Sequence, residues 1–164
     1  MLTRRRFLTL SGVTGIAAAG MVMGYQLLPS GGEKPGDGPP SIAYGSDTCA
    51  HCKMIISDAR FAAAWRAPNG KTTRFDDIGC MTAMAAEGAP PAGTAFWVHS
   101  YLDESPLLAD DATFVVTGTI ATPMAYGIVA VATHSQASQL VTEAGGETTT
   151  WASLRADGRA HGGH

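Results

Sequence analysis

The expected order of secondary structure is the same in two successive segments of the chain, and this repeat limits the fold more than any other feature. Each segment has two runs rich in β-branched and aromatic residues, then a capped helical run, then a third β-type run. In the first segment the strands are expected at residues 60–66, 71–75 and 95–101, and the helix at about 78–87. In the second segment the strands are expected at residues 111–117, 126–133 and 147–152, and the helix at 135–144.

Turn and capping residues mark where these elements begin and end. Pro68-Asn69-Gly70 is expected to form the turn between the first two strands. Asp77 is placed to cap the first helix, which stops at Gly88 before two prolines. Thr133 or Ser135 caps the second helix. The first segment has about sixty residues and the second about fifty, and each is small for a hydrophobic core of its own. We therefore predict an α+β fold in which two small related ββαβ units pack together.

The first 28 residues resemble an export signal and not part of the folded region. Thr3-Arg4-Arg5-Arg6-Phe7-Leu8-Thr9 is close to the twin-arginine export pattern, and an uncharged apolar run from Leu10 to Leu28 follows it. We predict a twin-arginine signal over residues 1–28, with Ala17-Ala18-Ala19 as a cleavage site. If the run is not cut, it is long enough to anchor the chain in a bilayer. The protein is therefore expected to be periplasmic or otherwise extracytoplasmic, tethered to the cytoplasmic membrane if the signal is retained.

The chain after the signal is expected to divide into a tether, a folded region and a tail. Residues 29–43 are rich in glycine and proline and are predicted to form a flexible tether. The polar, glycine-rich residues 154–164 are predicted to be disordered. The folded region between them is expected at residues 44–153, with the two units at about 44–105 and 106–153.

The charge and the motif content exclude several classes of function. From Ser41 onward the sequence has seven Lys or Arg and twelve Asp or Glu, a net charge of −5, with no basic patch. Nucleic acid is therefore not an expected partner. No Ser/His/Asp set, paired carboxylates or phosphate-binding loop is visible in the sequence, so we do not expect an enzyme.

The residues best suited to chemistry lie in Asp47–Asp58, "DTCAHCKMIISD". A closed structural zinc site needs four Cys or His ligands, and the only other cysteine in the chain is Cys80. A redox C-x-x-C usually opens a helix behind a strand, whereas here the tether precedes it. A disulfide between Cys49 and Cys52 would close a very short loop and stabilise the fold little. These three alternatives remain open on the residues alone.

A soft metal ion would use more of these residues. Cys52 and Met54 are two positions apart, so an extended chain would place both side chains on one face. A thiolate beside a thioether suits Cu(I). Met124, at a proline-fixed turn before a strand, is the candidate for a third ligand, although most methionines fill cores. We therefore consider a copper site that draws on both halves of the chain.

Three further residues are weaker candidates for metal ligands. Cys49 begins the C-x-x-C motif, and Cys80 is expected in the first turn of the first helix, where the helix dipole favours its thiolate. His51 lies between the two cysteines of the motif and can bind through a ring nitrogen or point to water. His99 lies in an aromatic strand and is expected to be a structural histidine.

Taken in order, the motifs resemble those of the NosL family, the accessory copper chaperones of nitrous-oxide reductase maturation in denitrification. They extend over about residues 44–152, nearly the whole predicted folded region, and the duplicated ββαβ order is also the family's. The matching pieces are Asp47-x-Cys49-x-x-Cys52-x-Met54, Arg60-Phe61-Ala62, Phe75-Asp76-Asp77-Ile78-Gly79-Cys80-Met81, Trp97-Val98 and Thr122-Pro123-Met124-x-x-Gly127.

This resemblance implies an extracytoplasmic metallochaperone that binds one Cu(I) and delivers it for the assembly of nitrous-oxide reductase. It implies Cys52, Met54 and Met124 as copper ligands, with Cys49 as a less certain addition. The implied partners are nitrous-oxide reductase itself and a membrane transporter with its periplasmic accessory proteins. The rival hypothesis from another class is an extracytoplasmic thiol–disulfide oxidoreductase that uses Cys49 and Cys52.

The chain departs from the family pattern in two places. Many family members are lipoproteins with a cysteine after the signal, whereas residues 1–44 contain none, so no lipid attachment is expected. The family's commonest form also has glycine where this chain has Lys53. In an extended chain the Lys53 side chain would point away from Cys52 and Met54, so we expect that ligand pair to be preserved.

Overall fold

The computed structural model describes residues 38–156. The predicted export signal, most of the predicted tether and the end of the predicted tail lie outside the described residues, so the predictions for them are untested. Within residues 38–156, no helix combines the length and the apolar character needed to cross a membrane.

The described residues form seven strands and three α-helices, preceded by a 3₁₀ turn at Ala59–Phe61. The elements of the first unit are β1 (Ala63–Arg66), β2 (Thr72–Phe75), α1 (Ile78–Glu87), β3 (Ala95–His99) and β4 (Pro106–Leu108). The elements of the second unit are β5 (Thr113–Val116), β6 (Ile128–Val131), α2 (His134–Ala144), β7 (Glu147–Thr149) and α3 (Trp151–Ala156).

The strands form two antiparallel sheets that repeat one arrangement. The strand order is β2-β1-β3-β4 in the first sheet and β6-β5-β7 in the second. In both sheets the first strand of the unit is central, with its second strand on one side and the strand after the helix on the other. The prediction of two related ββαβ units is therefore confirmed, and β4 is an additional edge strand of the first sheet.

The two units are packed together around shared aromatic residues. The Trp151 ring lies 5.0 Å from the ring centroid of Phe96 in the first sheet and 6.0 Å from that of Phe114 in the second. The backbone N–H of Tyr101, just after β3, donates to the carbonyl oxygen of Ala130 in β6 at 2.8 Å. The units thus bury their apolar faces against each other, as their small size requires.

Both longer helices begin at capping residues predicted from the sequence. The Asp77 carboxylate accepts a hydrogen bond from Gly79 N at 2.8 Å, and α1 then continues to Glu87 with Gly88 as its C-cap. Thr133 caps α2 in a capping box with Gln136, so Ser135 is not the cap.

The structure corrects the predicted strands at the two ends of the repeat. The strand expected at 60–66 is shortened, because the Asp58 side chain accepts from Arg60 N and begins the 3₁₀ turn. The strand expected at 147–152 ends at Thr149. The Thr150 hydroxyl then accepts from Ser153 N at 3.2 Å, which begins α3 and turns the buried Trp151 into the core. This helix continues to Ala156, beyond the expected end of the folded region.

Candidate metal centre

The C-x-x-C-x-M segment is a tight loop and not the extended chain that we expected. Thr48 and Ile55 pair as an antiparallel bridge, and the loop between them is closed by Cys49 N donating to Met54 O at 2.8 Å and Lys53 N donating to Cys49 O at 3.1 Å. The strand argument that placed Cys52 and Met54 on one face is therefore wrong. The loop is also tied to β2, because Ala50 N donates to Arg74 O at 2.9 Å.

The loop brings the two cysteines of the motif next to the third cysteine of the chain. Cys80 lies in the first turn of α1, as predicted, and the sulfur atoms of Cys49, Cys52 and Cys80 all lie within 4.8 Å of one another. Cys49 and Cys80 are fully buried, whereas Cys52 is half-buried. All three are free thiols, so the predicted alternative of a Cys49–Cys52 disulfide is not what the structure shows.

The three thiols do not share charge equally. A hydrogen bond from the Cys80 thiol, helped by the backbone N–H groups of Asp76, Cys52 and His51, outweighs burial and lowers the pKa of Cys49 to about 4. The same hydrogen bond, together with burial, raises the pKa of Cys80, and burial is the main cause that raises the pKa of Cys52. The cluster therefore holds its negative charge on Cys49, at its buried end, where a thiolate is ready to bind a cation.

This distribution differs from that of a redox C-x-x-C. Such a motif has a reactive thiolate that is partly exposed and lies at the start of a helix. Here the cysteine with the lowered pKa, Cys49, is completely buried and lies in a loop, while the accessible Cys52 has a raised pKa. Burial of Cys49 and its position in a loop therefore do not match the usual arrangement of a redox C-x-x-C.

Asp77 joins the cysteine cluster to the turn that carries Met124. One carboxylate oxygen accepts from Gly79 N at the start of α1, and the other accepts from Met124 N at 3.0 Å. The Thr122 hydroxyl also bonds to this carboxylate. Burial is the main cause that raises the pKa of Asp77. The turn is thereby held at the N-terminus of the helix that contains Cys80, on the same side of the molecule as the cysteine loop.

The other predicted ligands lie at different depths around the cluster. The Met54 side chain is 58% exposed and that of Met124 is 36% exposed, so both are at the surface. His51 Nε2 lies 3.2 Å from Glu87 Oε1, and its Nδ1 is buried without a hydrogen-bond partner. His51 does not belong to the group of described ligand atoms that lie within 4.8 Å of one another. His99 is structural, with its Nδ1 2.9 Å from Ala62 O and its Nε2 3.4 Å from the Tyr44 hydroxyl.

The sequence model of the NosL family matches residues 42–158 of the chain. This match includes most of the sequence and contains every residue of the cluster described above. The chain belongs to the NosL family. Its fold is similar to that of the copper chaperone NosL from Shewanella denitrificans, whose crystal structure superposes with a TM-score of 0.56 at 18% sequence identity, covering 70% of this chain and 96% of that one. At this identity the likeness concerns the fold. No curated protein matches the chain in sequence.

The NosL motif Thr-Pro-Met-x-x-Gly has a structural explanation in this chain. Thr122 closes the turn, because its carbonyl oxygen accepts from Ala125 N at 3.0 Å and its hydroxyl accepts from Gly127 N at 3.2 Å. Gly127 has φ +65°, and a Cβ there would lie 2.1 Å from the backbone oxygen of Thr117. Glycine is therefore required at the end of the turn. Pro123 presets its first corner.

The backbone at Lys53 shows why glycine suits this position in the commonest NosL pattern. Lys53 has φ +67°, the left-handed conformation that glycine adopts at the least cost. Its ammonium group folds back and contacts the carbonyl oxygen of Ala50, so it does not point away from the loop as we expected for an extended chain. The positive charge thus lies at the edge of the cysteine loop.

Two substitutions of Asp77 test separately its role as the cap of α1 and its bond to the Met124 turn of this NosL domain. Asp77→Asn keeps an oxygen that can cap α1 but replaces the acceptor for Met124 N with a donor, so we expect a loss of about 1–2 kcal/mol of stability and rapid amide exchange at Met124. Asp77→Ala removes the bonds from Gly79 N, Met124 N and the Thr122 hydroxyl, and is expected to cost about 3 kcal/mol. Urea unfolding and amide hydrogen exchange measure the two effects.

The matched control is Thr133→Ala, which removes a helix cap far along the chain. It is expected to cost about 1 kcal/mol and to leave exchange at Met124 unchanged. If Asp77→Asn protected the Met124 amide as well as the parent does, the carboxylate would not be what holds this turn.

Proposed function

We propose that this protein is an extracytoplasmic Cu(I) metallochaperone that delivers copper for the assembly of nitrous-oxide reductase. The observation that supports this most is the convergence of three thiols, at one edge of the shared core, beside the two loops that carry exposed methionines. Membership of the NosL family and the likeness to a solved copper chaperone support the same proposal.

The donor atoms select the metal. Thiolate and thioether sulfur are soft ligands that favour Cu(I), whereas calcium and magnesium require several oxygen ligands. Of the two carboxylates just before the Cys80 helix, Asp77 accepts backbone hydrogen bonds on both oxygens, and Asp76 accepts one from Ser57 N at 3.4 Å. Sulfur is therefore the donor that the cluster offers, and Cu(I) is the cargo that it suits.

The protein's work is ligand exchange and not catalysis. Cys52 is half-buried and Met54 and Met124 are exposed, so the ligands of an acceptor protein can approach from that side. If each new bond to copper forms before an old one breaks, transfer is fast even when binding is tight. Transfer of the ion breaks no covalent bond in the acceptor protein, as expected for a carrier.

The proposed location and partners are supported by the export pattern in the sequence and by membership of the family. The twin-arginine pattern in residues 1–28 supports export to the periplasm, with a membrane tether if the signal is retained. The proposed partners are nitrous-oxide reductase and the membrane transporter and periplasmic accessory proteins of its maturation.

An anaerobic titration with Cu(I), read by X-ray absorption, tests this proposal. We expect one Cu(I) per chain, with sulfur as the only near neighbour, and transfer of that copper to copper-free nitrous-oxide reductase. Zinc competition under reducing conditions is the control, and copper should displace zinc. Failure to bind Cu(I), or retention of zinc against copper, would refute the proposal.

A further inference from the structure

We propose that the chain has two overlapping copper sites that share Cys52: an inner site formed by Cys49, Cys52 and Cys80, and an outer site formed by Cys52, Met54 and Met124. Copper rests in the inner site and leaves through the outer one. This inference rests on the proposed function and extends it, because the family resemblance implies the outer set, with Cys49 as a less certain addition, and leaves Cys80 without a role.

The spacing of the three thiols fits a single ion. Three sulfurs in a plane around a metal at the thiolate distance known for zinc, about 2.3 Å, lie about 4.0 Å from one another. The sulfurs of Cys49, Cys52 and Cys80 already lie within 4.8 Å of one another. A small inward movement of these side chains is enough to close a three-coordinate Cu(I) site.

The burial of the inner site prevents direct release. Cys49 and Cys80 have no exposed surface, and both belong to the same core cluster as Phe75, Ile78 and Met81. An acceptor protein cannot reach their sulfurs while the fold is intact. Cys52 is the only one of the three with exposed surface, so copper in the inner site can be approached only along Cys52.

The proposed outer site shares Cys52 with the inner site and adds two methionines. Met54 follows Cys52 by two residues at the mouth of the loop, and Met124 is held by Asp77 at the N-terminus of the Cys80 helix. Tyr126, two residues after Met124, packs its ring against Gly79 in the same helical turn as Cys80. Both methionines are exposed, whereas Cys52 is half-buried, so the thioethers are more open to solvent than the shared thiol.

Passage from one site to the other is an exchange of ligands around Cys52. Bonds from copper to the Met54 and Met124 sulfurs form, and bonds to the Cys49 and Cys80 sulfurs break. The copper stays Cu(I) throughout, and each thiolate that leaves it takes up a proton from water if it becomes a thiol. Neutral thioethers hold the ion less strongly than buried thiolates, so the outer site is the weaker and more easily emptied one.

Selenomethionine labelling of the full chain distinguishes the two sites directly. Copper X-ray absorption shows a Cu–Se neighbour only if a methionine is bound, and the unmodified thiols remain in place. At one equivalent of Cu(I), we expect sulfur neighbours and no selenium in the parent protein. A selenium neighbour there would overturn the inner site and leave the proposed function intact, whereas absence of any Cu(I) binding would overturn both.

Variants of the labelled protein test the passage between sites. In Cys80→Ser the inner site has lost a ligand, so a Cu–Se neighbour should appear, and Cu(I) affinity measured against a chromophoric chelator should fall by at least about tenfold. Adding Met54→Leu and Met124→Leu should remove that neighbour, while Met84→Leu, on the same helix as Cys80 but outside both sites, should not. Copper in Cys80→Ser without a selenium neighbour would overturn the outer site as the exit. The parent measurement does not depend on how well the variant folds.

Discussion

Cys52→Ser is expected to weaken Cu(I) binding by at least about a hundredfold, which corresponds to about 2.7 kcal/mol. Cys52 is a ligand in both of the proposed sites, so its loss cannot be compensated by moving the ion from one to the other. A hydroxyl is a hard donor and does not replace a thiolate for a soft ion. Competition with a chromophoric Cu(I) chelator under anaerobic conditions measures the change.

The comparison with Met124→Ala makes this prediction specific. Met124 is a ligand of the proposed outer site alone, so its loss should slow transfer to an acceptor more than it lowers equilibrium affinity. Cys52 is half-buried, and its replacement should leave the circular dichroism spectrum and the urea midpoint close to those of the parent. Parent-like affinity in a folded Cys52→Ser protein would place the copper elsewhere.

Gly79→Ala is expected to cause a large loss of stability, about 3 kcal/mol, because the added methyl group has no room beside Tyr126. Gly79 is buried in the first turn of α1, and an added Cβ would lie 2.0 Å from the Tyr126 ring and 2.4 Å from Tyr126 Cβ. Because a clash with Cβ is close to the backbone, the whole Met124 turn has to shift. The intrinsic preference of helices for alanine, about 1 kcal/mol, offsets only part of this cost.

Two variants control for the Gly79→Ala result. Gly88→Ala, at the other end of the same helix, has no atom within 4 Å of the new Cβ and should change the free energy of unfolding by less than about 1 kcal/mol. The double variant Gly79→Ala/Tyr126→Ala removes the clashing ring and should recover part of the loss. Urea unfolding reports all three, and equal midpoints for Gly79→Ala and Gly88→Ala would contradict the close contact.

The sequence alone determined the elements that depend on neighbouring residues. The Asp77 and Thr133 caps, the extent of α1 and the strand–strand–helix–strand repeat follow from capping, turn chemistry and periodicity, which act over a few positions. The ordered motifs were sufficient to indicate the NosL family. The prediction that the last strand includes Trp151 failed. The Thr150 hydroxyl caps a helix that begins at Trp151, and the Trp151 ring packs in the aromatic core.

Only the tertiary structure decided which sulfurs meet. Cys80 lies far along the chain from Cys52, and no rule of motif spacing predicts that the two would share an ion. The strand expected to contain Cys52 and Met54 is instead a loop in which Lys53 has a left-handed backbone conformation. The cluster forms because the loop bonds to β2, and Asp77 bonds to both α1 and the Met124 turn. These are contacts between distant segments, set by packing and by hydrogen bonds that local propensity does not contain.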